Sequence, residues 1–334
     1  MNRRKLISAS LGLCSLAATA RLAAWGKPLM EDSKPHTLSG RALGTKVSLL
    51  ALHADADKAQ AALAEALAEV QAVDALLSLY RDDSQLSMLN RAGVLESPDA
   101  RVLDVLRYAQ DLSGRTQGAF DVTVQPLWLA FSKAKERGGL PTPAALREAR
   151  ALVDWRRLTV SDDVVRLQLP GMAVTLNGVA QGYAADRALA ALRRHGIAHA
   201  LIDAGEFDTL GRKPNGGPWV LGVRHPRDVD APAARLAMDG RALATSGDYE
   251  TFFTPDFRHH HIFDPAVGDS PTELASATVL ARTALEADGL STAFMVLGAE
   301  RSLALAAMLP GVDALLIGKN GECWRSPGLP ALTA

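Results

Sequence analysis

The sequence predicts an α+β fold with mixed, largely antiparallel sheets and packed helices. Short apolar or alternating segments recur along the chain between longer segments that have helical spacing. These segments do not follow the regular strand, helix, strand repeat that a doubly wound parallel sheet requires. With 334 residues, 48% of them hydrophobic, the chain is long enough to form a substantial core. Its formal net charge of −1 lacks the basic excess typical of nucleic-acid-binding proteins, so we do not expect nucleic acid as a partner.

The N-terminal segment has the pattern of an export signal. Arg3 and Arg4 precede a short apolar stretch, which is followed by small residues suitable for signal peptidase. We therefore expect a twin-arginine signal peptide over 1–26 and a periplasmic protein that does not span the membrane once it is processed. An amphipathic N-terminal helix is the less favoured interpretation, because the apolar stretch has almost no polar face. With the signal removed, Cys323 is the only cysteine, which excludes an intramolecular disulfide.

In the first half of the chain, residue spacing predicts a strand followed by helices and a hairpin. The segment 45–52 is expected to form the strand. A helix is expected over 56–79, because apolar residues recur there on one stripe, namely Leu63, Leu67, Val70, Val73 and Leu77. The further predicted elements are helices over 98–114 and 142–152, a hairpin over 158–169 with its turn at 161–163, and an exposed loop over 133–142.

In the second half, short strands alternate with two helical regions. The predicted strands cover 199–203, 219–223, 242–246, 260–263, 275–280 and 314–318. One helix is predicted over 183–196, and a buried helix opens at 287 and continues through an apolar run to 308. We expect no segment beyond the N-terminus to be long and apolar enough to span a bilayer.

Asp288 and Thr292 are the first candidates for a functional site. They are four residues apart on the predicted buried helix, so their side chains lie on one face, one turn apart. A carboxylate and a hydroxyl in this arrangement suit Mg²⁺, which takes oxygen ligands and completes its shell with water and phosphate oxygens. The plainer explanation is that Asp288 and Ser291 cap the helix while Thr292 packs.

Three turns that contain glycine carry polar groups that could contact a ligand. Asp121 follows a Gly-rich turn, and its plainer explanation is an Asp that caps a turn. The stretch 176–183 is expected to run from a strand into a helix through Gly178 and Gly182, which exposes backbone groups to a ligand. The stretch 244–249 places small hydroxyl residues before a glycine, as phosphate-binding loops do and as ordinary turns also do.

Three consecutive histidines, His259, His260 and His261, suggest a metal site. Along a strand, however, successive side chains point to opposite faces, so His260 would point away from its neighbours. The three rings therefore cannot all bind one ion, and a single functional histidine is the better interpretation.

Seven motifs, taken in their order along the chain, resemble the ApbE family of flavin transferases, the FAD:protein FMN transferases. The resemblance covers roughly residues 38–320, and we place the domain at 38–325. Seven motifs in one order are far more specific than any one of them. The motifs are Leu43-Gly44-Thr45; Leu77-Ser78-Leu79-Tyr80 with Ser84 and Asn90; Gly118-Ala119-Phe120-Asp121-Val122-Thr123; Gly178-Val179-Ala180-Gln181-Gly182-Tyr183-Ala184-Ala185-Asp186; Ala244-Thr245-Ser246-Gly247-Asp248-Tyr249; His261-Ile262-Phe263-Asp264-Pro265; and Ser276-Ala277-Thr278-Val279 followed by the segment from Ala287 to Ala293.

The resemblance implies a Mg²⁺-dependent enzyme with an ApbE-like fold. Such an enzyme cleaves the pyrophosphate of FAD, attaches FMN through a phosphoester to a Ser or Thr of a target protein, and releases AMP. By the same resemblance, Asp288, Thr292 and the carbonyl of Gly178 would hold the metal, with Asp288 as the main ligand. His261 would act near the reacting phosphate as a proton relay or a transient nucleophile. The positions that match FAD contacts are Tyr80, Ala119, Phe120 and Asp121, with Leu43, Thr175, Gln181 and Ile262 as weaker matches.

Two departures from the family pattern leave alternatives open. Gln181 stands where many relatives carry Lys, and Glu206 adds a carboxylate in the segment Ala204-Gly205-Glu206. One alternative is a periplasmic FAD-binding protein or flavin chaperone that does not transfer FMN. Another is an FAD pyrophosphatase that gives free FMN and AMP. The exported form is similar to the accessory transferases of nitrous oxide respiration, which implies a membrane-bound acceptor flavoprotein with a Ser/Thr flavinylation motif.

Overall fold

The computed structural model describes residues 33–228 and 230–330, and it confirms the predicted α+β class. The strands are β1 (Lys34–Ala42), β2 (Thr45–His53), β3 (Val94–Glu96), β4 (Leu158–Val160), β5 (Val164–Leu167), β6 (Ala200–Asp203), β7 (Phe207–Leu210), β8 (Val220–Arg224), β9 (Pro232–Ala237), β10 (Ala242–Gly247), β11 (Leu274–Ala281), β12 (Asp313–Gly318) and β13 (Cys323–Arg325). The helices are α1 (Ala56–Leu77), α2 (Gln85–Ala92), α3 (Ala100–Arg115), α4 (Gln125–Lys135), α5 (Pro143–Arg150), α6 (Ala180–Arg194) and α7 (Ala284–Met308). The predicted signal peptide over 1–26 lies outside the described residues.

An eight-stranded sheet forms the frame of the molecule. Its strand order is β1-β2-β6-β7-β10-β11-β12-β13, and each neighbouring pair is antiparallel. A three-stranded sheet of β3, β5 and β4 and a two-stranded sheet of β8 and β9 complete the strands of the described residues. Antiparallel pairing between strands that are distant in sequence explains why a strand, helix, strand repeat was absent from the sequence.

The helices α1, α6 and α7 form a layer on this frame. The predicted stripe of α1 is confirmed: Leu63, Val70, Val73 and Leu77 are buried, and Leu67 packs against the same core. Asp55 begins α1 by accepting a hydrogen bond from the amide of Lys58 at 3.1 Å. α6 packs against both α1 and α7.

The long helix α7 crosses the core and brings the candidate metal ligands to its first turns. Thr283 caps its N-terminus, and the carboxylate of Asp186 accepts hydrogen bonds from the amides of Ala284 and Leu285 at 2.7 and 2.9 Å. Gly298 interrupts the helix with a φ of 78°, a conformation that costs glycine little.

The expectation that no segment beyond the N-terminus could span a bilayer is wrong by length and composition, because α7 meets both criteria. Its side chains are mostly buried, however, and it packs against β10 and β11. This packing identifies α7 as a core helix.

Two expected strands did not form, and several elements were not predicted. The segment 260–263 makes only an isolated bridge between Phe252 and His260, because the backbone amide of His260 bonds the hydroxyl of Ser270 at 2.7 Å instead of a strand. The stretch before Leu176 does not pair as a strand. The sequence analysis missed β1, α2, β3, α4, β7, β9 and β13. Of these, β3, β7 and β13 have only three or four residues, and β1 and α2 contain many polar residues.

Candidate functional site

The N-terminal turns of α6 and α7 meet at Asp288. Its carboxylate accepts a hydrogen bond from the amide of Gly182 at 2.9 Å. A Cβ placed on Gly182 would lie 2.2 Å from the carbonyl oxygen of Ala284 and 2.8 Å from the Cβ of Asp288. Only glycine at this position therefore lets the two helices approach closely enough for the bond to form.

Thr292 lies one turn further along α7 and faces the loop that leads into α6. A Cβ placed on Gly178 would lie 2.8 Å from the hydroxyl oxygen of Thr292, so backbone and side chain are in direct contact. The same hydroxyl lies 3.1 Å from the hydroxyl of Ser246, which is also 2.8 Å from that of Ser291. The structure thus brings the three predicted metal ligands, Gly178, Asp288 and Thr292, to one place.

The chemistry of these groups fits a hard divalent cation. Carboxylate, hydroxyl and carbonyl oxygens are the donors that Mg²⁺ prefers. In the described residues, one carboxylate oxygen of Asp288 bonds Gly182 and the other makes no hydrogen bond. Burial raises the pKa of Asp288 to about 7, the Gly182 amide opposes this rise, and Asp186 adds to it. Asp288 does not cap α7; Thr283 and Asp186 do.

Glu206 adds a second buried acid beside this centre. One of its oxygens accepts a hydrogen bond from the amide of Thr245 at 3.1 Å. Burial raises the pKa of Glu206 well above its ordinary range, and Asp288 raises it further. The preceding Gly205, with a φ of 101°, lies against the side chain of Gln181, since a Cβ there would come within 2.6 Å of the Gln181 amide nitrogen. Both departures from the family pattern therefore lie next to the candidate metal site.

Asp121 is engaged in local structure. Its Oδ1 accepts hydrogen bonds from the amide and hydroxyl of Thr123 at 2.8 and 2.6 Å, and its Oδ2 accepts one from the amide of Trp155 at 3.0 Å. Burial raises its pKa to about 6, and these hydrogen bonds oppose the rise. The geometry is that of the turn cap considered for it. Phe120 is 4% exposed within the core and Ala119 is half-buried, so an FAD contact at these residues stays a prediction.

The segment that leads to Gly178 is tied to the Asp121 loop. The amide of Thr175 donates to the carbonyl of Val122 at 2.8 Å. Asn90 binds both backbone groups of the adjoining Val174, at 2.7 and 2.8 Å. These bonds place Thr175 between the two predicted binding loops.

Leu43 and Tyr80 both lie near the C-terminal end of α1. The β1–β2 turn places Leu43 at a φ of 50°, and its amide donates to the carboxylate of Asp74 at 2.7 Å. Arg81, the neighbour of Tyr80, lies 3.8 Å from the same carboxylate. Tyr80 is 64% exposed, which leaves its ring available to a flat ligand.

The three histidines have three different partners. His259 lies 2.8 Å from Asp269, and buried His260 lies 3.2 Å from the carbonyl of Pro271. Burial lowers the pKa of His260 to about 3. Across residues 33–228 and 230–330, the side chains form no group of three or more His, Cys, Asp or Glu arranged to hold a metal.

His261 has the geometry of a proton acceptor. Its Nδ1 lies 3.1 Å from the carbonyl of Thr251. A carbonyl only accepts, so this bond assigns the proton of the neutral ring to Nδ1 and leaves Nε2 as the acceptor. Burial lowers the pKa of His261, whereas the Thr251 bond and Asp248 oppose that effect. Ile262, beside it, is buried in the core.

Sequence reasoning missed four residues of this region. Ser246 and Asp248 lie in a motif that had been recognised, but neither was assigned a role. Arg227 and Lys319, which contact Asp248, had no sequence signal because they lie in distant loops. A separate depression of about 300 Å³ near the C-terminal end, lined by Arg325 to Pro330, contains none of the predicted site residues.

Known proteins share the sequence and the fold of this chain. The model of the ApbE family matches residues 43–316. The chain is 33% identical to an FAD:protein FMN transferase of Salmonella typhimurium over 307 residues, which cover 87% of each chain. The apo structure of the Pseudomonas stutzeri flavinyl transferase ApbE matches with a TM-score of 0.77 and 30% identity, over 88% of this chain and 95% of that one. The ApbE protein of Thermotoga maritima matches with a TM-score of 0.77 and 27% identity, over 88% of this chain and 97% of that one. By sequence and by fold, this chain belongs to the ApbE family.

Proposed function

We propose that this protein is an FAD:protein FMN transferase that releases AMP and leaves FMN in phosphoester linkage to a Ser or Thr of an acceptor flavoprotein. The observation that carries the proposal is the convergence of Gly178, Asp288 and Thr292 where α6 meets α7. Curated relatives named for this activity match most of the chain, at 33% identity for the Salmonella typhimurium protein.

The oxygens of Asp288, Thr292 and Gly178 would hold Mg²⁺. When bound, the ion would supply charge stabilisation to the pyrophosphate oxygens, where negative charge develops during cleavage. The support for this assignment is the donor set and the contact between Gly178 and Thr292.

The remaining chemistry falls to side chains of the protein. The acceptor hydroxyl oxygen bonds to the phosphorus on the riboflavin side, the pyrophosphate bridge to that phosphorus breaks, and AMP leaves. Nε2 of His261 takes the proton of the hydroxyl, because Nδ1 is committed to Thr251. Gln181, at the start of α6, is available to donate a hydrogen bond to a phosphate oxygen.

The place of action is part of the same proposal. The twin-arginine pattern at 1–26 favours a periplasmic enzyme, and the resemblance to exported relatives favours a membrane-bound acceptor. Fusion of this segment to a reporter, with Arg3 and Arg4 both changed to Lys as the control, tests the route. Export that persists in the control would contradict it.

Product analysis tests the activity. The mature protein is incubated with FAD, Mg²⁺ and a soluble acceptor domain that carries a flavinylation motif. We expect an acceptor mass gain of FMN less one water, with an equal amount of AMP. Free FMN and AMP without a mass gain would replace the proposal with the pyrophosphatase, and bound but uncleaved FAD would replace it with the chaperone.

A further inference from the structure

Asp248 is a fully buried carboxylate held by two cations from distant parts of the chain. Arg227, in the loop between β8 and β9, binds it with two parallel hydrogen bonds of 2.7 Å each. Lys319, in the turn after β12, approaches it to 3.4 Å. A bidentate Arg–carboxylate pair gives both strength and orientation, so Asp248 connects three segments rigidly.

The same two cations also hold the tip of the loop that follows Asp248. The ammonium of Lys319 donates to the carbonyl of Phe257 at 2.6 Å, and the guanidinium of Arg227 lies 4.4 Å from the centre of the Phe257 ring. Phe257 has a φ of 58°, which is unusual for a residue other than glycine. The loop that runs from Asp248 to His261 is therefore bound to Arg227 and Lys319 both at its start, Asp248, and at its tip, Phe257.

The loop returns from this tip directly to His261. The amide of His261 donates to the carbonyl of Thr251 at 3.0 Å, and its Nδ1 lies 3.1 Å from the same oxygen. The bridge between Phe252 and His260 pairs the two arms of the loop. These bonds connect the loop from Asp248 to Phe257 to the backbone and ring of His261.

The charged and titratable groups around His261 are few. They are Asp248, the neutral ring of His260 at 6.3 Å between centroids, the cations Arg227 and Lys319 behind Asp248, the pair of His259 with Asp269, and the pair of Glu250 with Arg224. Among the charged groups of the described residues, Asp248 is the one that raises the pKa of His261 directly. Arg227 and Lys319 bind Asp248, so removing either cation leaves its negative charge less neutralised.

We propose that Asp248, clamped by Arg227 and Lys319, is a positioning residue that orients His261 and tunes its affinity for a proton. The inference rests on the proposed function, because His261 takes a proton only in that reaction. The clamp is a feature of the folded protein, however, and can be measured without turnover.

The charges of the clamp predict shifts of opposite sign. Replacing Asp248 by Asn removes a negative charge that favours the protonated ring, so the pKa of His261 falls. Replacing Lys319 by Met leaves Asp248 less neutralised, so the pKa of His261 rises. Variants that only loosened the loop would not lower the pKa of His261 in one case and raise it in the other.

The test is a titration of the His261 ring by NMR, with the signal assigned through His261→Gln, alongside the pH profile of FMN transfer. We expect Asp248→Asn to lower the pKa of His261, and Lys319→Met to raise it, by about half a unit each. Lys319→Arg should retain the wild-type value. Both charge-removing variants should reduce kcat by about tenfold and leave KM for FAD within about twofold.

Arg241→Met is the matched control, because it breaks another partly buried Arg–Asp pair, that of Arg241 with Asp313. It should lower stability and leave the His261 titration unchanged. If Asp248→Asn does not fold, Lys319→Met and Arg227→Lys carry the test. Unchanged titration in the folded clamp variants would overturn the inference. If the pKa of His261 shifts as predicted but the wild-type protein transfers no FMN, the clamp is upheld and the proposed function is refuted.

Discussion

Asp288 is the residue on which the site depends, and its surroundings oppose its charge. It is 3% exposed, and Asp186 and Glu206 lie near enough for their charges to act on it or be acted on by it. A buried carboxylate in this situation holds a proton or binds a cation. The charge of Asp288 should therefore depend on both pH and bound metal.

We predict that the metal-free protein loses stability as pH rises from about 4 to about 7. Asp288 has a folded-state pKa of about 7, above its value of 3.8 when unfolded. The folded state therefore binds this proton more tightly than the unfolded state. The stability that the proton contributes is fully present below pH 3.8 and is lost as the pH rises to the folded-state pKa of about 7. The loss should be about 4 kcal/mol, measured by urea unfolding at a series of pH values with a chelator present.

Asp208→Asn is the control for this prediction. Burial raises the pKa of Asp208 to about 7 as well, but it is not a predicted ligand. Both Asp288→Asn and Asp208→Asn should flatten the pH dependence, whereas only Asp288→Asn should lose the stabilisation by Mg²⁺ at pH 8. An equal Mg²⁺ effect in both variants would count against Asp288 as the ligand.

We also predict that Glu206→Gln leaves the pH midpoint of metal binding unchanged. Burial and the charge of Asp288 raise the pKa of Glu206 well above its ordinary range, so Glu206 still holds its proton when Asp288 ionises. Gln replaces this neutral side chain and can still accept the hydrogen bond from Thr245. Calorimetric titration with Mg²⁺ between pH 5 and 8 measures the midpoint, and a shift to lower pH would show that Glu206 carries a charge beside Asp288.

At the scale of elements, the site depends on the close contact of α6 with α7. Gly182 allows the contact, Asp186 ties α6 to the first amides of α7, and Asn90 fastens the segment before Gly178. None of these three residues is a predicted ligand. Together they determine where the ligands lie.

We predict that Gly182→Ala destabilises the protein by about 3 kcal/mol and weakens Mg²⁺ binding, because the new methyl group would overlap the carbonyl of Ala284. Gly139→Ala is the matched control, since nothing lies within 4 Å of its Cβ position. Thermal unfolding of the two variants with and without Mg²⁺ provides the measurement. A neutral Gly182→Ala would mean that the helices are not in the contact described.

Periodicity predicted the elements whose burial is regular. The stripe of α1, the β4–β5 hairpin and the core strands β10, β11 and β12 all followed from it. It failed for β7, where buried Asp208 and Thr209 hide the strand pattern, and for 260–263, where loop bonds replace strand pairing. Local spacing also put Asp288 and Thr292 on one helix face, but nothing local could show that Lys319 reaches Asp248.

At the scale of the whole molecule, an antiparallel sheet brings motifs from the entire chain to one region. The loop before α6, the end of β10 and the start of α7 contribute Gly178, Ser246 and Thr292 from three separate stretches of sequence. Such a site forms only when the complete domain folds. The order of the motifs was therefore more informative than any one of them.

The most direct test of the central claim is the Mg²⁺ dependence of FMN transfer in the wild type and in Thr292→Val, which keeps the shape of the side chain and removes its hydroxyl. If Thr292, Asp288 and Gly178 hold the ion, Thr292→Val should need at least about tenfold more Mg²⁺ for half-maximal transfer. The same Mg²⁺ dependence in both proteins would contradict the assignment of the metal site.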